Sequence, residues 1–346
     1  MKMQYAKNKL KDLELTVRQG QITNSNVEKY VGILVNEKGD NKDRIVSSKN
    51  RSHVLSKLIN TWGSPYKVGN LAIQTRLFLV NNLAMQSIFH TAETWTNLTK
   101  TDKKTIEGIH RNLLTSILEI ENSTPYVGIL VETGEWPIHQ TIHYKKLMLF
   151  QHIIASDEKR LAKQVLIGQE RAGLPNNWYA ELKQIGELYG IKIDVAEVLL
   201  YKKSQWKAMV KAEIDKWVLK YYHREIDQKK KLRFLKKPKE LILQKYLQLL
   251  PFTVSQTILR TKLNMVKAKA NYKGTYTDQT CNGCQNKEES TEHLFKCWRN
   301  GWITGMELDS RWVESDSLEQ LEKMSFAVEC IERMKETTGE WRMTKE

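Results

Sequence analysis

Four residues with soft ligand atoms lie close together near residue 290 of this sequence. They follow the spacing C-x2-C-x8-H-x3-C and are Cys281, Cys284, His293 and Cys297. A Cys-x-x-Cys turn directs two thiolates at one ion, and a second pair one helical turn apart completes a tetrahedral zinc site. Because four protein ligands leave no position for water, the predicted Zn²⁺ is structural. Its binding would stabilise a segment too short to form its own core.

The alternative for this segment is a set of buried cysteines beside an unrelated histidine. Gly283 inside the first turn, and four soft ligands within seventeen residues, favour the metal site. Cys330 lies far downstream, among Phe326, Val328 and Ile331. We therefore expect Cys330 to be a core residue of a helix rather than a ligand.

The second candidate site is a stretch rich in lysine and arginine between residues 202 and 273. It contains KKKLRFLKKPK and ILRTKLNMVKAKANYKG, and aromatic residues interleave with its cations. Cations that follow a phosphate backbone, with rings that stack on bases, are typical of single-strand binding. We predict nucleic-acid contacts for Lys229, Lys230, Lys231, Arg233, Lys236, Lys237, Arg260, Lys262, Lys267, Lys269, Tyr272 and Lys273.

The alternative for this stretch is a solvated helical face whose aromatic rings belong to the core. We favour core packing for Trp217, Val218 and Tyr221, and nucleic-acid contact for the segments 229–237 and 260–273. The charge of the whole chain supports a polyanionic partner: its 346 residues have a formal net charge of +15 and a pI near 9.4. Neutralising phosphates with such cations releases counterions and drives binding.

Common catalytic motifs are missing from the sequence, including those of nucleotide-binding loops, zinc proteases and serine hydrolases. Glu132 and Glu135 in ETGEWP could form an acid pair, but we expect a solvated loop there. His139 and His143 have the i, i+4 spacing that could bind a metal. Because Leu147 continues that series, packing or a helix surface is the favoured role.

The composition indicates a globular protein. Hydrophobic residues make up 40% and charged residues 27%, with ten tryptophans, and no apolar run reaches the ~18 residues of a membrane span. The first residues, MKMQYAKNKLKDLEL, lack the apolar core of a signal peptide. The few cysteines are typical of a reduced metal site. We expect a nuclear or cytoplasmic protein with no membrane partner.

The apolar pattern predicts a mostly α fold of helical bundle domains, with a small N-terminal β-hairpin and a C-terminal zinc knuckle. VEKYVGILV followed by NEKGDN predicts a hairpin that leads into a helix. Apolar residues indicate a buried helix over residues 70–90 and an amphipathic helix over residues 102–118, with Asp102 as its N-cap. TPYVGILVETGEWPIHQ is predicted to be a loop before a helix that Pro137 opens.

We divide the chain into five segments, with a break in helical pattern near residue 172, where Gly173, Pro175 and Asn176 follow. The segments are a hairpin and first helix (1–60), a helical domain (61–172), a basic helical connector (173–274), the zinc knuckle (275–300) and a helical tail (301–346).

The order of these features resembles the C-terminal half of a non-LTR retrotransposon reverse transcriptase. RTKLNMVKAKANYKG and TEHLFKC are similar to the Cys- and His-rich tail of that family. QTRLFLVNNLAMQSIFHTAETW resembles its thumb helix, with Glu93 and Trp95 at the matching end, and TPYVGILVETGEWPIHQTIHYKKLMLF resembles the loop and helix that follow. VEKYVGILVNEKG resembles the primer-grip hairpin, whose Y/F-L-G positions fall on Tyr30, Val31 and Gly32. The resemblance is collinear over most of residues 27–298.

The resemblance implies nucleic-acid binding without polymerase chemistry. In this family, palm aspartates hold two metal ions that activate the primer 3′ hydroxyl. The sequence begins after the position of that palm, and it contains no Asp-Asp pair. Val31 stands where the family has Leu, and His90 and Ala92 depart from the thumb pattern. We expect a retroelement-derived, non-catalytic protein that binds RNA or an RNA/DNA hybrid.

Two other functions stay open. One is a structural subunit of a large ribonucleoprotein, docked on a stable RNA by its basic faces. The other is the thumb-and-tail subunit of a split reverse transcriptase, which would need a separate palm-bearing chain. Salt-dependent binding to any single strand or hybrid favours the first function. Dependence on one large assembly for solubility favours the ribonucleoprotein.

Overall fold

The computed structural model describes residues 15–17, 20–22, 27–30, 33–36, 39–62, 72–272, 274, 276 and 278–337. The fold is mostly helical, as predicted, and it starts with two antiparallel hairpins. Their strands are β1 (Leu15–Val17), β2 (Gly20–Ile22), β3 (Val27–Tyr30) and β4 (Ile33–Asn36). The predicted hairpin is β3–β4, in which Tyr30 pairs with Ile33. Val31 and Gly32 lie outside the described residues.

In the part of the chain that the structure describes, seven α-helices precede the break near residue 172. They are α1 (Lys42–Trp62), α2 (Ile73–Leu79), α3 (Met85–Ile88), α4 (Lys100–Leu118), α5 (Tyr126–Thr133), α6 (Ile138–Ile154) and α7 (Leu161–Ala172). A π-helical turn over Val80–Ala84 joins α2 to α3. The helix predicted over residues 70–90 is therefore two α-helical pieces with a wider turn between them.

Eight helices follow the break in the described ranges. They are α8 (Trp178–Tyr189), α9 (Val195–Leu199), α10 (Lys203–Gln228), α11 (Lys245–Leu249), α12 (Phe252–Lys262), α13 (Thr291–Leu294), α14 (Trp298–Thr304) and α15 (Leu318–Thr337). Among all the helices described, none combines the length and apolar character needed to cross a membrane.

Helix α4 begins earlier than the sequence indicated. Thr99 is the N-cap, and its side chain accepts a hydrogen bond from the main-chain N–H of Asp102. The Asp102 carboxylate accepts the Thr99 N–H at 3.0 Å, which completes a capping box. The prediction of Asp102 as the N-cap was wrong, because this residue occupies the N3 position of the same box.

Helix α5 corrects the predicted loop. Pro125 is its N-cap and Gly134, with φ +71°, ends it in the left-handed conformation that glycine adopts without strain. All eight of its residues are buried. A helix covered on every side has no polar face, so its sequence lacks the apolar periodicity that identifies surface helices. Pro137 caps α6, as predicted.

The buried apolar side chains form one contiguous cluster that extends from Ile45 to Ile331. Helix α10 buries a residue at every fourth position, from Trp206 through Tyr222 to Ile226, and packs on α5, α6 and α8. The predicted break after Ala172 is the end of helix α7, where Gly173 adopts the left-handed conformation with φ +61°. Residues on both sides of this break contribute to the same cluster, and the predicted domain limits stay predictions.

The C-terminal part of the fold positions the Cys- and His-rich segment. Helix α12 packs along α15, and α14 packs on α15 as well. The chain between α12 and α13 contains the Cys-x-x-Cys turn, and the chain around α13 supplies the other two candidate ligands. The segment is therefore attached to the helical core on both sides.

Candidate metal centre and basic surface

The first two cysteines lie in a tight turn closed by main-chain hydrogen bonds. Thr280 pairs with Glu288 in an isolated β-bridge, and the Cys281 N–H donates to the Lys287 carbonyl at 2.8 Å. The Gln285 N–H donates back to the Cys281 carbonyl at 2.8 Å. These bonds reverse the chain over seven residues and direct both thiols to the same side.

The other two candidate ligands lie in and just after helix α13. His293 belongs to the helix, and Cys297 follows it by one helical turn. Ser290 caps α13 by accepting the His293 N–H at 3.2 Å. The Cys297 N–H then donates to the His293 carbonyl at 2.9 Å. This bond spans one helical turn, so the imidazole of His293 and the thiol of Cys297 reach the same point.

The four side chains form a group that could hold a metal ion. Their ligand atoms all lie within 4.8 Å of one another. Cys281 Sγ is 3.9 Å from Cys297 Sγ, and Cys284 Sγ is 3.2 Å from His293 Nε2. Tetrahedral bonds of about 2.3 Å to sulfur give ligand separations on the order of 3.8 Å, so the group fits one tetrahedral ion. Within the described residues it is the one such group of His, Cys, Asp and Glu.

The protein environment affects the two turn thiols in opposite directions. Burial raises the pKa of Cys281 to about 11, although the N–H groups of Cys284 and Gly283 oppose this. The Asn286 N–H lowers the pKa of Cys284, and the Lys287 N–H adds to it. A bound cation would stabilise both thiolates. The negative charge of neighbouring thiolates, which is unfavourable without an ion, would then be compensated by the charge of the metal.

Glu289, between the two ligand pairs, anchors the metal centre to the helical core. Its buried carboxylate accepts hydrogen bonds from Lys335 Nζ of α15 at 2.6 Å and from the Lys269 N–H at 3.2 Å. Lys335 Nζ also donates to the Lys267 carbonyl at 2.8 Å. Both charged partners are almost fully buried. A buried ion pair with satisfied hydrogen bonds fixes geometry, because separating it would leave an unpaired charge.

A second anchor joins the metal centre to the basic loop, which we define as residues 229–239. Both carboxylate oxygens of Glu292 on α13 accept hydrogen bonds from Arg233, each at 2.6 Å. This two-pronged contact fixes orientation as well as distance. Further along the loop, Lys236 pairs with Asp316 at 2.6 Å. The metal centre and the chain just before α15 thus hold one side of the basic loop.

The predicted nucleic-acid residues of the basic loop are all exposed. Four of them have acidic partners inside the protein: Lys229 with Glu225, Arg233 with Glu292, Lys236 with Asp316 and Lys237 with Asp227. Lys230 and Lys231, together with Lys239, have no acidic partner in the part of the chain that the structure describes. These three lysines give the loop its uncompensated positive charge.

The second predicted group has structural contacts instead. Lys262 is buried, with Nζ 3.9 Å from Glu132 and 5.2 Å from the centre of the Tyr246 ring. Lys269 is buried too, and it donates to the Thr280 carbonyl and the Asn282 side chain. The phosphate contacts predicted for these two lysines are corrected to roles inside the fold, because buried ammonium groups with partners do not reach a backbone outside.

The other members of that group lie nearer the surface. Arg260 pairs with Glu332 at 3.2 Å, and Lys267 pairs with Glu336, both on α15. The Tyr272 hydroxyl donates to Glu121 at 2.7 Å, so its ring is attached to the turn after α4. Lys273 lies outside the described residues.

Most aromatic rings of the basic stretch belong to the core. The buried rings are those of Trp206, Tyr222, Phe234 and Tyr246. Trp217 and Tyr221 stack on each other, with ring centres 5.5 Å apart, and pack against the core while Val218 is buried. The predicted core packing is therefore confirmed for Trp217, Val218 and Tyr221. Of the aromatic residues in this stretch, Tyr272 is the one for which we predicted nucleic-acid contact, and that contact stays a prediction.

The two glutamates of ETGEWP are not on a solvated loop, which corrects that expectation. Glu132 is buried and accepts the Tyr246 hydroxyl at 2.7 Å. Glu135 accepts a hydrogen bond from Asn81 of the π-helical turn at 2.5 Å. Burial raises the pKa of Glu135. Their carboxylates contact different partners and hold separate elements together.

The two histidines spaced i, i+4 on α6 have packing roles, as favoured. His139 Nε2 lies 3.1 Å from the Lys103 carbonyl, and His143 Nδ1 lies 2.8 Å from the Tyr189 hydroxyl. Cys330 lies on α15 outside the ligand group, but it is partly exposed, so the expectation of a core position was wrong. Sequence reasoning missed Glu289, Glu292 and Lys335, whose partners are distant in the chain. The position of both glutamates between the ligand pairs was the available signal.

No family model, curated protein or solved structure matches this chain.

Proposed function

We propose that this chain is a nucleic-acid-binding protein in which a structural zinc ion holds the basic loop in place. The observation that carries the proposal is the double hydrogen bond from Arg233 to Glu292, because it joins the candidate metal centre directly to the loop. Zinc is the proposed ion, since three thiols and one imidazole in a tetrahedral group are its usual structural ligands.

Electrostatics support a polyanionic partner. The chain has a formal net charge of +15, and the basic loop has seven cations in eleven residues. Acidic side chains neutralise Lys229, Arg233, Lys236 and Lys237 within the protein. Lys230, Lys231 and Lys239 supply the phosphate contacts in this proposal. Contacts of this kind fix position on a backbone and read no base sequence.

We further propose that the chain is a non-catalytic, retroelement-derived protein that binds RNA or an RNA/DNA hybrid. The support is the collinear resemblance to the thumb, connector and tail of non-LTR reverse transcriptases, including the predicted primer-grip hairpin and its following helix. Whether a palm-bearing chain assembles with it is a separate proposal, tested by recovering the native protein with its partners.

The test is salt-dependent binding of a single-stranded RNA by the whole chain. We expect log affinity to fall linearly with log salt, at about −0.7 per phosphate contact. The variant Lys230→Gln/Lys231→Gln/Lys239→Gln should weaken binding to all sequences alike and flatten the slope by up to about 2. Equal affinity and slope for the variant and the unmodified chain would overturn the proposed interface.

A matched control removes the same charge elsewhere. Lys159, Arg160 and Arg171 are exposed and have no ion pair among the described residues. Their combined replacement by Gln should leave the slope almost unchanged, because these residues contact no phosphate in the proposal. If the control flattens the slope as much as the loop variant, net charge and not the loop determines binding.

A structural subunit of a ribonucleoprotein is the second candidate, and exposed apolar side chains favour it. Phe78 on α2 and Leu249 on α11 are 63% and 65% exposed, and these two helices contact each other. Exposed apolar groups on adjacent elements are typical of protein interfaces. Replacing both by Ser should release the chain from a native assembly under this candidate and should leave RNA affinity unchanged under the first.

A further inference from the structure

A pocket of about 430 Å³ lies where the π-helical turn over Val80–Ala84 meets α6 and α10. This volume is in the range of pockets that hold small organic molecules. The buried side chains of Phe89 and Ile142 belong to its apolar lining, and the exposed Gln86 and Lys211 belong to its rim. Single π-helical turns inside helices are frequent at functional sites.

Aromatic rings form part of the pocket wall. Trp136 and Tyr144 both line it, with ring centres 5.4 Å apart in an edge-to-face arrangement. The Trp136 indole Nε1 donates to Asp215 Oδ1 of α10 at 2.8 Å, which fixes the orientation of this ring. Together with Phe89 these rings provide flat apolar surfaces of the kind on which nucleobases stack.

The polar part of the wall contains two neighbouring acceptors. Glu135 Oε1 accepts the Asn81 Nδ2 amide at 2.5 Å, and both residues line the pocket. A carboxylate only accepts hydrogen bonds, so the Asn81 side chain must turn its NH₂ toward Glu135. Glu135 Oε2 and Asn81 Oδ1 then have no hydrogen-bond partner among the described residues, and neither oxygen is sealed from solvent. Both oxygens are available to a ligand.

The main chain holds these acceptors in place before any ligand binds. The Glu135 N–H donates to the Leu130 carbonyl at 3.1 Å, and the Glu135 carbonyl accepts the hydroxyl of Tyr222 from α10. Asn81 is held in the π-helical turn between α2 and α3. A site built on fixed elements loses little freedom when a ligand binds, which favours affinity.

The charges around the pocket balance. Among the described residues that line it, Glu135 and Asp215 are acidic, and Lys145 and Lys211 are basic. Lys145 Nζ donates to Gln86 Oε1 at 3.3 Å and has further hydrogens to donate. A pocket without net charge does not select a phosphate. Its flat rings, paired acceptors and nearby ammonium group favour an uncharged planar ring with two adjacent donors and an acceptor.

Guanine is the nucleobase with this pattern. Its Watson–Crick edge has two neighbouring donors, N1–H and the 2-amino group, with the O6 acceptor beside them. Adenine and cytosine present one amino group next to a ring nitrogen that accepts. Uracil presents one N–H between two carbonyl groups. Two adjacent acceptors on the protein therefore match guanine best.

We infer that this pocket binds a guanine base, with Glu135 Oε2 and Asn81 Oδ1 as acceptors for its N1–H and 2-amino group. The rings of Trp136 and Tyr144 contact the base, and the Lys145 ammonium group is the donor for O6. The base can belong to an RNA strand or to a free nucleotide. The strand as a source rests on the proposed function, and it would add recognition of one base to phosphate contacts that read none.

Equilibrium titration of the whole chain with guanosine, inosine and adenosine tests the pocket. None of these nucleosides has a phosphate, so the basic loop does not contribute to binding. Inosine is guanosine without the 2-amino group and should bind about tenfold more weakly. Adenosine, whose N1 is an acceptor, should not bind measurably. No saturable binding of guanosine, or equal affinities for guanosine and inosine, would overturn the inference.

A pair of variants locates the binding site. Glu135→Gln can keep the bond to Asn81 but replaces Oε2 by a group that donates, so guanosine affinity should fall by at least about tenfold. Glu187→Gln removes the same charge at an exposed position of α8 that does not line the pocket, and it should keep the affinity. Unchanged guanosine affinity in Glu135→Gln would overturn the site. Should this variant fail to fold by circular dichroism, the comparison of nucleosides on the unmodified chain still decides.

Two single-stranded RNA oligonucleotides, with guanine or inosine at one position, identify the source of the base. Tighter binding of the guanine strand, lost in Glu135→Gln without a change of salt slope, assigns the base to a strand. If both strands bind equally and guanosine still binds more tightly than inosine, the pocket takes a free nucleotide and the proposed function stands. If neither strand binds but guanosine does, the proposed function fails and the inference about the pocket stands.

Discussion

Each side chain of the candidate metal centre is positioned by hydrogen bonds between residues close to it in the chain. The Cys281 carbonyl and N–H close the turn, Ser290 fixes the start of α13, and the Cys297 N–H bonds to His293. Local structure therefore places the ligand atoms, and a bound ion would hold them in that arrangement. Removing one ligand should reduce metal binding more than it disturbs the helices of the core.

Replacing one ligand tests the centre. Cys284→Ser should lose the bound zinc, because three ligands bind far more weakly than a closed tetrahedral set, and should become sensitive to protease around residues 275–300. Metal analysis of the purified protein measures the first effect. Cys330→Ser is the control and should keep one zinc per chain. Stoichiometric zinc in Cys284→Ser would show that the ligand assignment is wrong.

His110 should make stability depend on pH. Its ring is buried, Nδ1 lies 2.6 Å from the Tyr126 hydroxyl, and burial lowers its pKa from 6.5 to about 3. Below about pH 6.5 the unfolded chain binds a proton that the folded chain does not, so this residue's contribution is lost as pH falls toward 3. The expected loss is about 1.4 kcal/mol per pH unit.

Urea unfolding of the chain and of His110→Gln, at one zinc concentration and between about pH 7 and pH 4, measures this loss. The variant should show the shallower pH dependence, because its residue 110 does not titrate. His143, whose pKa burial also lowers to about 3, contributes equally in both proteins. Parallel curves for the two proteins would contradict the assignment.

The positions of the predicted cations show which contacts a residue pattern does not determine. The four members of the candidate metal centre could be predicted because their geometry depends on spacing within seventeen residues. Lys262 and Lys269 had the same residue type and setting as exposed lysines, yet Glu132 and Thr280 lie beside them only after folding. Charge density along a sequence does not contain those partners. The same holds for Lys335 with Glu289.

At the scale of elements, α5 depends on its ending glycine. A Cβ on Gly134 would lie 2.4 Å from the main-chain carbon of Ile242, and φ is +71°. The Ile242 segment cannot withdraw freely, because the Gln244 N–H donates to the Glu132 carbonyl at 3.1 Å. Gly134 thus combines a left-handed conformation with a close main-chain contact.

Gly134→Ala and Gly173→Ala separate these two effects. Gly173 has φ +61° but nothing within 4 Å of an added Cβ, so its replacement should cost about 1 to 2 kcal/mol for the left-handed conformation alone. Gly134→Ala should cost clearly more, since its clash adds to the same strain. Denaturant unfolding measures both. Equal costs would mean that the contact with residue 242 is unimportant.

Most helices could be predicted from the apolar residues along the sequence, including the buried helical segment over residues 70–90, whereas α5 could not. The pattern predicted α4 and α6 because apolar residues recur on one face and Pro137 marks a start. It missed α5, where every residue is buried, and the π-helical turn at Val80–Ala84, which depends on packing around it. Apolar periodicity shows which face of a helix meets solvent, so it gives no signal for a helix as short as α5 that is buried on every side.

At the scale of the whole molecule, we predict binding without polymerase chemistry. No motif of the sequence positions the pair of carboxylates that two catalytic metal ions need. The isolated chain should therefore bind a primer on an RNA template and leave it unextended with Mg²⁺ or Mn²⁺. Primer extension by a preparation free of other polymerases would contradict this prediction. Extension only after a second chain is added would support the split-polymerase alternative.

We propose that a metal ion at the candidate centre organises the basic loop, and that this loop binds nucleic acid. The most direct test of this proposal is the salt dependence of single-stranded RNA binding, measured for the zinc-loaded and the zinc-free chain. Circular dichroism should first show that the helices remain. We predict that removing zinc releases Glu292 from Arg233, weakens binding and flattens the slope. Unchanged affinity and slope in a chain shown to be free of zinc would mean that the metal ion does not organise the loop.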